Sequence, residues 1–389
     1  MKNRMIAIML CAGLAVSMLA GCGKKEEEPL ADPVSDMAQP IETPTPEPEP
    51  EPESEPVVEE PTVKILNNDD APEGYVYSEL TGLLIDKEIE NRRPIAAMVD
   101  NEITSLDHYG VNDADIVFEM MNSTANDRIT RLMVLVKDWS KIERLGNIRS
   151  TRNANCILAI EWNAVLCHDG GPGIYINGLI NHNELDHISG VFARIDNGKA
   201  REFTEYITQP DIEKYLVNSN IDTEYNDYYT GPHFTFAETN AQDANEYTVS
   251  IPAVDKIVLP FPHNKSELHY NEETGKYEYY EYGKPHVDGE TGEVLAFDNV
   301  ILQCTSFGQF DEHGYMWYNL GSTGNAYYIT QGNCACATWK KGTDTMGEYE
   351  RYMCNTEYLD GAGNPVVLNA GKTYIGIIPA DTWDSVEIK

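Results

Sequence analysis

The sequence is short of cations. Its 389 residues carry 28 Lys and Arg against 64 Asp and Glu, a formal charge of −36. Nucleic-acid binding needs basic stripes that neutralise phosphates, so that class is excluded, and docking onto anionic lipid heads is disfavoured. No apolar run is long enough to span a hydrocarbon core of about 30 Å; Met5 to Leu19 is fifteen residues. There is no Gly-x-Ser-x-Gly elbow, no Cys-x-x-Cys and no compact His-x-His or His-x-x-x-His. An activated serine, a zinc knuckle and a two-histidine metal grip therefore have no local signature, and neither metal nor cofactor is expected.

What is present begins at the N-terminus. Lys2 and Arg4 precede the apolar run, which ends in Leu19-Ala20-Gly21-Cys22. A charged start followed by a short apolar stretch is the layout of a secretory signal, and the last four residues resemble a bacterial lipobox. That resemblance implies residues 1–22 are a lipoprotein signal, with Cys22 acylated and tied to membrane lipid on the extracytoplasmic face of the cell membrane. The bland alternative is an ordinary signal peptide that contains a cysteine. Two or three acyl chains on one residue suffice for stable anchoring. Residues 26–60 then hold thirteen acidic residues and no Lys or Arg, with Pro and Glu alternating through residues 44–56. Such a segment does not repay the entropy of ordering, so 23–73 reads as a disordered, extended tether reaching on the order of 100 Å.

The remaining chain divides into an α/β half at 74–235 and a mostly β half at 245–389. Short apolar runs bounded by turn residues predict strands at 94–100, 114–119, 131–136 and 164–168, with helices at 154–161 and from 210. From about Val249, β-rich runs at 256–259, 277–282, 299–304, 326–330 and 373–378 are separated by Gly, Asn and Asp turns. The expected fold is mixed α+β: an N-terminal α/β domain with a mixed sheet, then a β-rich C-terminal domain. Six cysteines lie in this body, Cys156, Cys167, Cys304, Cys334, Cys336 and Cys354. An exported chain with six permits up to three disulfides, or free thiols.

Several segments in order carry a family resemblance. Arg93-Pro-Ile-Ala-Ala-Met-Val-Asp-Asn101, Ala114-Asp-Ile-Val-Phe-Glu119, Ile129-Thr-Arg-Leu-Met-Val134, Gly146-Asn-Ile-Arg-Ser-Thr-Arg152 and His168-Asp-Gly-Gly171 are joined by Gly283-Lys-Pro-His-Val-Asp288, Thr338-Trp-Lys-Lys341 and Leu368-Asn-Ala-Gly-Lys-Thr373. Together they resemble the YerB-like lipoproteins of Gram-positive bacteria over roughly residues 75–380. The resemblance implies two domains, no settled activity, and work at the envelope with peptidoglycan or cell-wall synthesis proteins as partners. The cysteines are not part of the pattern.

Polar residues at predicted strand ends are the candidate site: Asp100 and Asn101, Glu119, and His168 with Asp169. Ends of parallel strands converge on one rim, where ligands bind. Arg149 and Arg152, spaced i, i+3 at a helix start near Ser150, would present a forked cation pair to a carboxylate or phosphate; Arg128 and Arg131 form a second such pair. The competing readings are structural. Asp100-Asn101 caps a strand, the arginines pair internally with Glu119 and Asp100, and His168 is a satisfied core histidine. His182 and His187 have no metal spacing with His168, and His286 with Asp288 reads as a brace. Three functions fit: an envelope lipoprotein binding a wall component or synthesis partner, a hydrolase of glycan or peptide using Asp100, Glu119 or His168, and a solute-binding lipoprotein. The third is weakened by the dissimilar halves. Tyrosines near 277–282 are explained by cross-strand packing as well as by sugar stacking.

Overall fold

The structure is a computed structural model that describes residues 63–389, apart from residues 248 and 344. The signal at 1–22, Cys22 and the tether as far as residue 62 lie outside the described residues. The stretch 63–73, expected to belong to the tether, is instead docked on the body. Ile65 bridges Ala237, Leu66 N donates to Phe236 O at 2.8 Å, and the Leu66 side chain packs on the core. The Pro-Glu run has ended by Val63, so apolar residues have surface to gain by docking.

The elements that build the body follow in chain order. In the first half these are β1 (Ile95–Asp100), β2 (Ile116–Met121), β3 (Thr130–Val136), α1 (Asn153–Glu161), β4 (Val165–His168), α2 (Gly173–Ile180), β5 (His187–Ser189) and α3 (Gln209–Asn218). The second half supplies β6 (Ser250–Pro252), β7 (Lys256–Val258), β8 (Glu267–Asn271), β9 (Lys276–Glu281), β10 (Asn299–Thr305), β11 (Thr323–Thr330), β12 (Asn333–Lys341), α4 (Glu348–Met353), β13 (Thr356–Leu359) and β14 (Thr373–Pro379). The fold is mixed α+β with a mostly β second half, as the composition of runs predicts.

One eleven-stranded mixed sheet runs β6-β12-β11-β10-β14-β2-β3-β1-β4-β5, with β13 on β12. Strand β14 lies parallel between β10 of its own half and β2 of the other. The two sequence segments thus share a single sheet through most of their core. Strands β1, β2 and β3 are buried along their whole length, which is why they read as continuous apolar runs rather than alternating ones.

Alternation still sorts their side chains. Ala96, Met98, Ile116, Phe118, Met133 and Leu135 face the helix layer of α1 and α2. Ile95, Ala97, Val99, Val117, Leu132 and Val134 face α3 and a second sheet made by β7, β8 and β9. Each large apolar side chain so buried contributes roughly 1.5–3 kcal/mol. The second sheet supplies Leu268, Tyr277 and Tyr279 to that interior, so these tyrosines are packing residues rather than a sugar-stacking face.

All six cysteines of the body are free thiols, with no disulfide among the described residues. Cys156 and Cys167 are buried on opposite sides of the sheet. Cys334 and Cys336 sit two apart on β12, about 6.6 Å along an extended strand, whereas a disulfide needs Cβ atoms within about 4.5 Å.

Candidate functional site

Strands β1 and β2 run in the same direction on either side of β3, with Asp100 opposite Arg131 and Met120 also opposite Arg131. Their C-terminal ends therefore meet the start of β3 at one rim. Side-chain parity then divides the candidates. Asp100 and Arg131 continue the series facing the helices; Glu119 and Thr130 continue the series facing the second sheet.

On the helix side lies a cleft of about 310 Å³ lined by Asp100, Arg131, Arg149 and Arg152 together with Glu102, Asn122, Ser123, Asn126, Phe203, His313 and Tyr315. Arg149 is the neutralised member. Its Nε donates to Asp100 Oδ2 at 2.7 Å and its Nη2 to Glu202 Oε2 at 2.7 Å. Burial works against its charge, but Asp100 and Glu202 outweigh that and raise its pKa.

Arg131 and Arg152 are less well matched. Arg131 Nη1 donates to Ser150 O at 2.5 Å, and its nearest carboxylate, Asp100 Oδ1, stands 3.9 Å from Nη2. Burial, with Arg152 and Arg149 beside it, brings its pKa down to about 9 against the pull of Asp100. Arg152 donates from Nη1 to Thr151 O at 2.8 Å, lies 5.3 Å over the Tyr315 ring, and has no carboxylate partner among the described residues. Burial first, then Arg149, lower its pKa. The Nε of each is buried with nothing to bond. Three guanidinium groups thus line one cleft whose deeply buried carboxylate, Asp100, pairs closely only with Arg149, and an oxyanion entering the cleft would find the other two without a close anionic partner.

The helix was expected near Ser150 and begins at Asn153, with Arg152 in the preceding cap position; Asn155 Oδ1 accepts from Arg152 N at 3.1 Å. This moves Arg149 off the helix and onto the strand side of the cleft. Arg128 leaves the site altogether. Asn126, Asp127 and Arg128 all adopt left-handed φ values of 52°, 48° and 59°, which presents Asn126 to the cleft and sends Arg128 to a bidentate pair with Asp381 at 2.9 and 2.6 Å.

Glu119 is on the other face, sealed. Its carboxylate accepts from Thr130 Oγ1 at 2.7 Å, Ser266 Oγ at 2.6 Å and Tyr374 OH at 2.6 Å. Burial raises its pKa although these three hydroxyls pull the other way. Asn101 belongs to the same network, donating to Thr130 Oγ1 at 2.9 Å while its carbonyl accepts from Asn264 and Tyr282. His168 bonds Gly170 O at 2.7 Å and His187 Nδ1 at 3.2 Å; burial lowers its pKa to about 4, so it is neutral. Asp169 pairs with Arg194 at 2.9 Å, and Arg194 also holds Glu205. Burial and the neighbouring Asp169 raise Glu205. Neither His168 nor Asp169 lines the cleft.

Asn122, Ser123, His313 and Tyr315 are cleft residues that sequence reasoning does not select. Asn122-Ser123 directly follows β2, a strand-end position with the same rationale as Asp100. Nothing local marks His313 and Tyr315, which reach the cleft from the other half of the chain. Thr124 N donates to Gly314 O at 3.0 Å, and Tyr175 stacks on Phe310 at 4.4 Å and bonds Asp311 at 2.8 Å; these contacts hold their loop over the cleft.

Residues 80–222 match the family model "Protein of unknown function (DUF3048) N-terminal domain", and residues 257–375 match "Protein of unknown function (DUF3048) C-terminal domain". A relative in Bacillus subtilis (strain 168), "Putative lipoprotein YerB", is 26% identical over 312 residues, covering 77% of this chain and 85% of the relative. The crystal structure of the YerB protein from Bacillus subtilis superposes with a TM-score of 0.66 at 22% identity, over 81% of this chain and 99% of that one, which supports the fold. The chain belongs to this two-domain YerB-like family. No helix among the described residues is long and apolar enough to cross a membrane.

Proposed function

We propose that this protein is a lipid-anchored envelope lipoprotein, held through Cys22 on the extracytoplasmic face, that binds an anionic group of a cell-wall component in the Arg131–Arg149–Arg152 cleft. The anchor rests on the lipobox-like Leu19-Ala20-Gly21-Cys22 and on the name of its Bacillus subtilis relative. The binding reading rests on one observation: Arg131, buried, and Arg152, half-buried, both line a polar cleft, and neither has a carboxylate within close hydrogen-bond distance. In a chain of charge −36, three arginines gathered at one hollow are a local exception that favours a compact oxyanion.

The same chemistry exists in wall phosphates and in peptide carboxylates, and one experiment distinguishes them. The full chain is incubated with intact sacculi, with sacculi stripped of phosphate polymers, and with sacculi whose stem carboxylates are amidated. Loss of retention in one treatment names the group. Retention no better than that of an unrelated acidic protein in all three refutes the proposal. A wall-synthesis partner would require the same cleft to read an acidic protein surface. The hydrolase alternative has less support: Glu119 is walled off behind the sheet and Asp100 is committed to Arg149, so no free carboxylate pair faces the cleft from these residues. The solute-receptor alternative is disfavoured by a body built on one shared sheet instead of two similar lobes.

A further inference from the structure

Apart from the arginine cleft, the turn after β1 and the hairpin after β9 meet in the interior. His108 comes from the first, Glu281 ends β9, and His286 lies just beyond it. All three are buried. One ligating atom from each lies within 4.8 Å of those of the other two, and the imidazole centroids are 5.0 Å apart.

Their hydrogen bonds leave a consistent remainder. Ser105 Oγ has one proton and faces two carbonyl oxygens, Glu102 O at 2.6 Å and Asp100 O at 2.9 Å. With that proton engaged, Ser105 accepts from His108 Nε2–H at 3.0 Å. The His108 lone pair then sits on Nδ1, which is buried and has no partner. Glu281 Oε1 accepts from His286 Nδ1–H at 2.7 Å, leaving Glu281 Oε2 and His286 Nε2 buried and equally unpartnered. Each of the three residues therefore keeps one lone-pair atom, His108 Nδ1, Glu281 Oε2 and His286 Nε2, without a hydrogen-bond donor. A buried acceptor left unmet is costly.

Two imidazole nitrogens and one carboxylate oxygen are the donor set of zinc sites that keep a fourth position open. A cleft of about 220 Å³, bordered by Ile103, Leu106, Asp107 and Lys284, touches Glu281 and His286. It gives a cation both an entry path and room for a fourth ligand. We propose that His108, Glu281 and His286 form a binding site for one Zn²⁺ ion, which ties the turn after β1 to the second sheet. Ligand atoms around tetrahedral zinc stand about 3.4 Å apart, so closing the triad takes shifts of about an ångström. His286 offers Nε2, or Nδ1 once the cation replaces the proton shared with Glu281. Sequence spacing points away from metal here because His108 lies in one half of the chain and Glu281 and His286 in the other.

The test uses the full chain, stripped with chelator and titrated with Co²⁺ and then Zn²⁺ alone. One equivalent of Co²⁺ should bind with the visible spectrum of four-coordinate nitrogen and oxygen ligation, and Zn²⁺ should displace it. Glu281→Gln and His108→Gln keep side-chain volume; each should weaken Zn²⁺ binding by at least the roughly 100-fold that loss of a supporting partner can cause. His269→Gln, whose ring bonds Glu267 at 2.8 Å on the second sheet, should bind like the parent. If a Gln variant does not fold, thiol alkylation of the parent decides: an unchanged cobalt spectrum supports the site. Failure of the parent to take up one equivalent, a sulfur-to-cobalt charge-transfer band, or undiminished affinity in folded Gln variants overturns it.

Discussion

Replacing Arg152 by Gln separates ligand binding from folding. Arg152 Nε is buried without a partner, and besides its contact over the Tyr315 ring the side chain gains one hydrogen bond, from Nη1 to Thr151 O at 2.8 Å. Removing the guanidinium relieves an unmet buried donor worth about 1–3 kcal/mol and forfeits a hydrogen bond worth about 0.5–1.5 kcal/mol. The backbone bond from Arg152 N to Asn155 Oδ1 survives, so the start of α1 is kept. Arg152→Gln should therefore unfold in urea with unchanged or higher stability, by about 1 kcal/mol. Binding should move the other way. A charge-assisted hydrogen bond to an oxyanion contributes about 1.5–3 kcal/mol, so affinity falls roughly 10- to 150-fold. Calorimetric titration with inorganic phosphate and with wall fragments, at two salt concentrations, reads this loss, and salt should weaken the parent more than the variant. A residue kept only for the fold behaves oppositely. Destabilisation above about 2 kcal/mol with affinity unchanged to within about twofold would refute the reasoning.

Glu161 in α1 is held by Lys341 Nζ and by Thr356 N at 2.7 Å, and His233 Nε2 stands 3.3 Å from it. Burial opposes its charge, but Lys341 and His233 outweigh it and hold the carboxyl at about 2. With the folded pKa below the unfolded value, this stabilisation is present at neutral pH and lost as pH falls from about 4.5 towards 2, on the order of 3 kcal/mol. Glu161→Gln should cost about 3–5 kcal/mol by stranding buried Lys341, and adding Lys341→Met should recover most of it; denaturant curves from pH 7 to 3 decide, and equal loss in the double variant sinks the idea. Native alkylation followed by mass mapping should find Cys304, Cys336 and Cys354 modified before Cys156, Cys167 and Cys334. The latter three are buried, and burial pushes Cys156 and Cys334 up to about 12 and Cys167 further still. Residues that resist alkylation after unfolding without reductant would reveal disulfides instead. Cys22→Ser should lose incorporation of labelled fatty acid and move from the detergent to the aqueous phase; unchanged partitioning removes the anchor.

Much of the local structure is legible without coordinates. The runs Pro94–Asp100, Asn299–Cys304 and Thr373–Ile378 can only be strands, because they are too short for buried helices and are bounded by turn residues. Parity is equally local. Asp100 and Glu119 end up on opposite faces of the sheet because Met98 and Phe118 share the helix face and side chains alternate. That rule, applied to the strands, already separates Asp100 and Arg131 from Glu119. The nine-residue strand Asn333–Lys341 is harder to see, since Cys-Ala-Cys-Ala-Thr carries weak β signal and takes its conformation from the strands beside it.

The tertiary structure alone decides what each face meets. An apolar run states that it is buried but not against which partner, so the insertion of β14 between β2 and β10 has no signature in any one segment. The same holds for Tyr315 over Arg152 and for His108 beside His286: these are contacts between distant segments, whose positions depend on how the whole sheet closes. The sequence by itself determines the charge, the anchor motif, most strands and which residues along one strand share a face. Packing between the halves determines which of those side chains share a site.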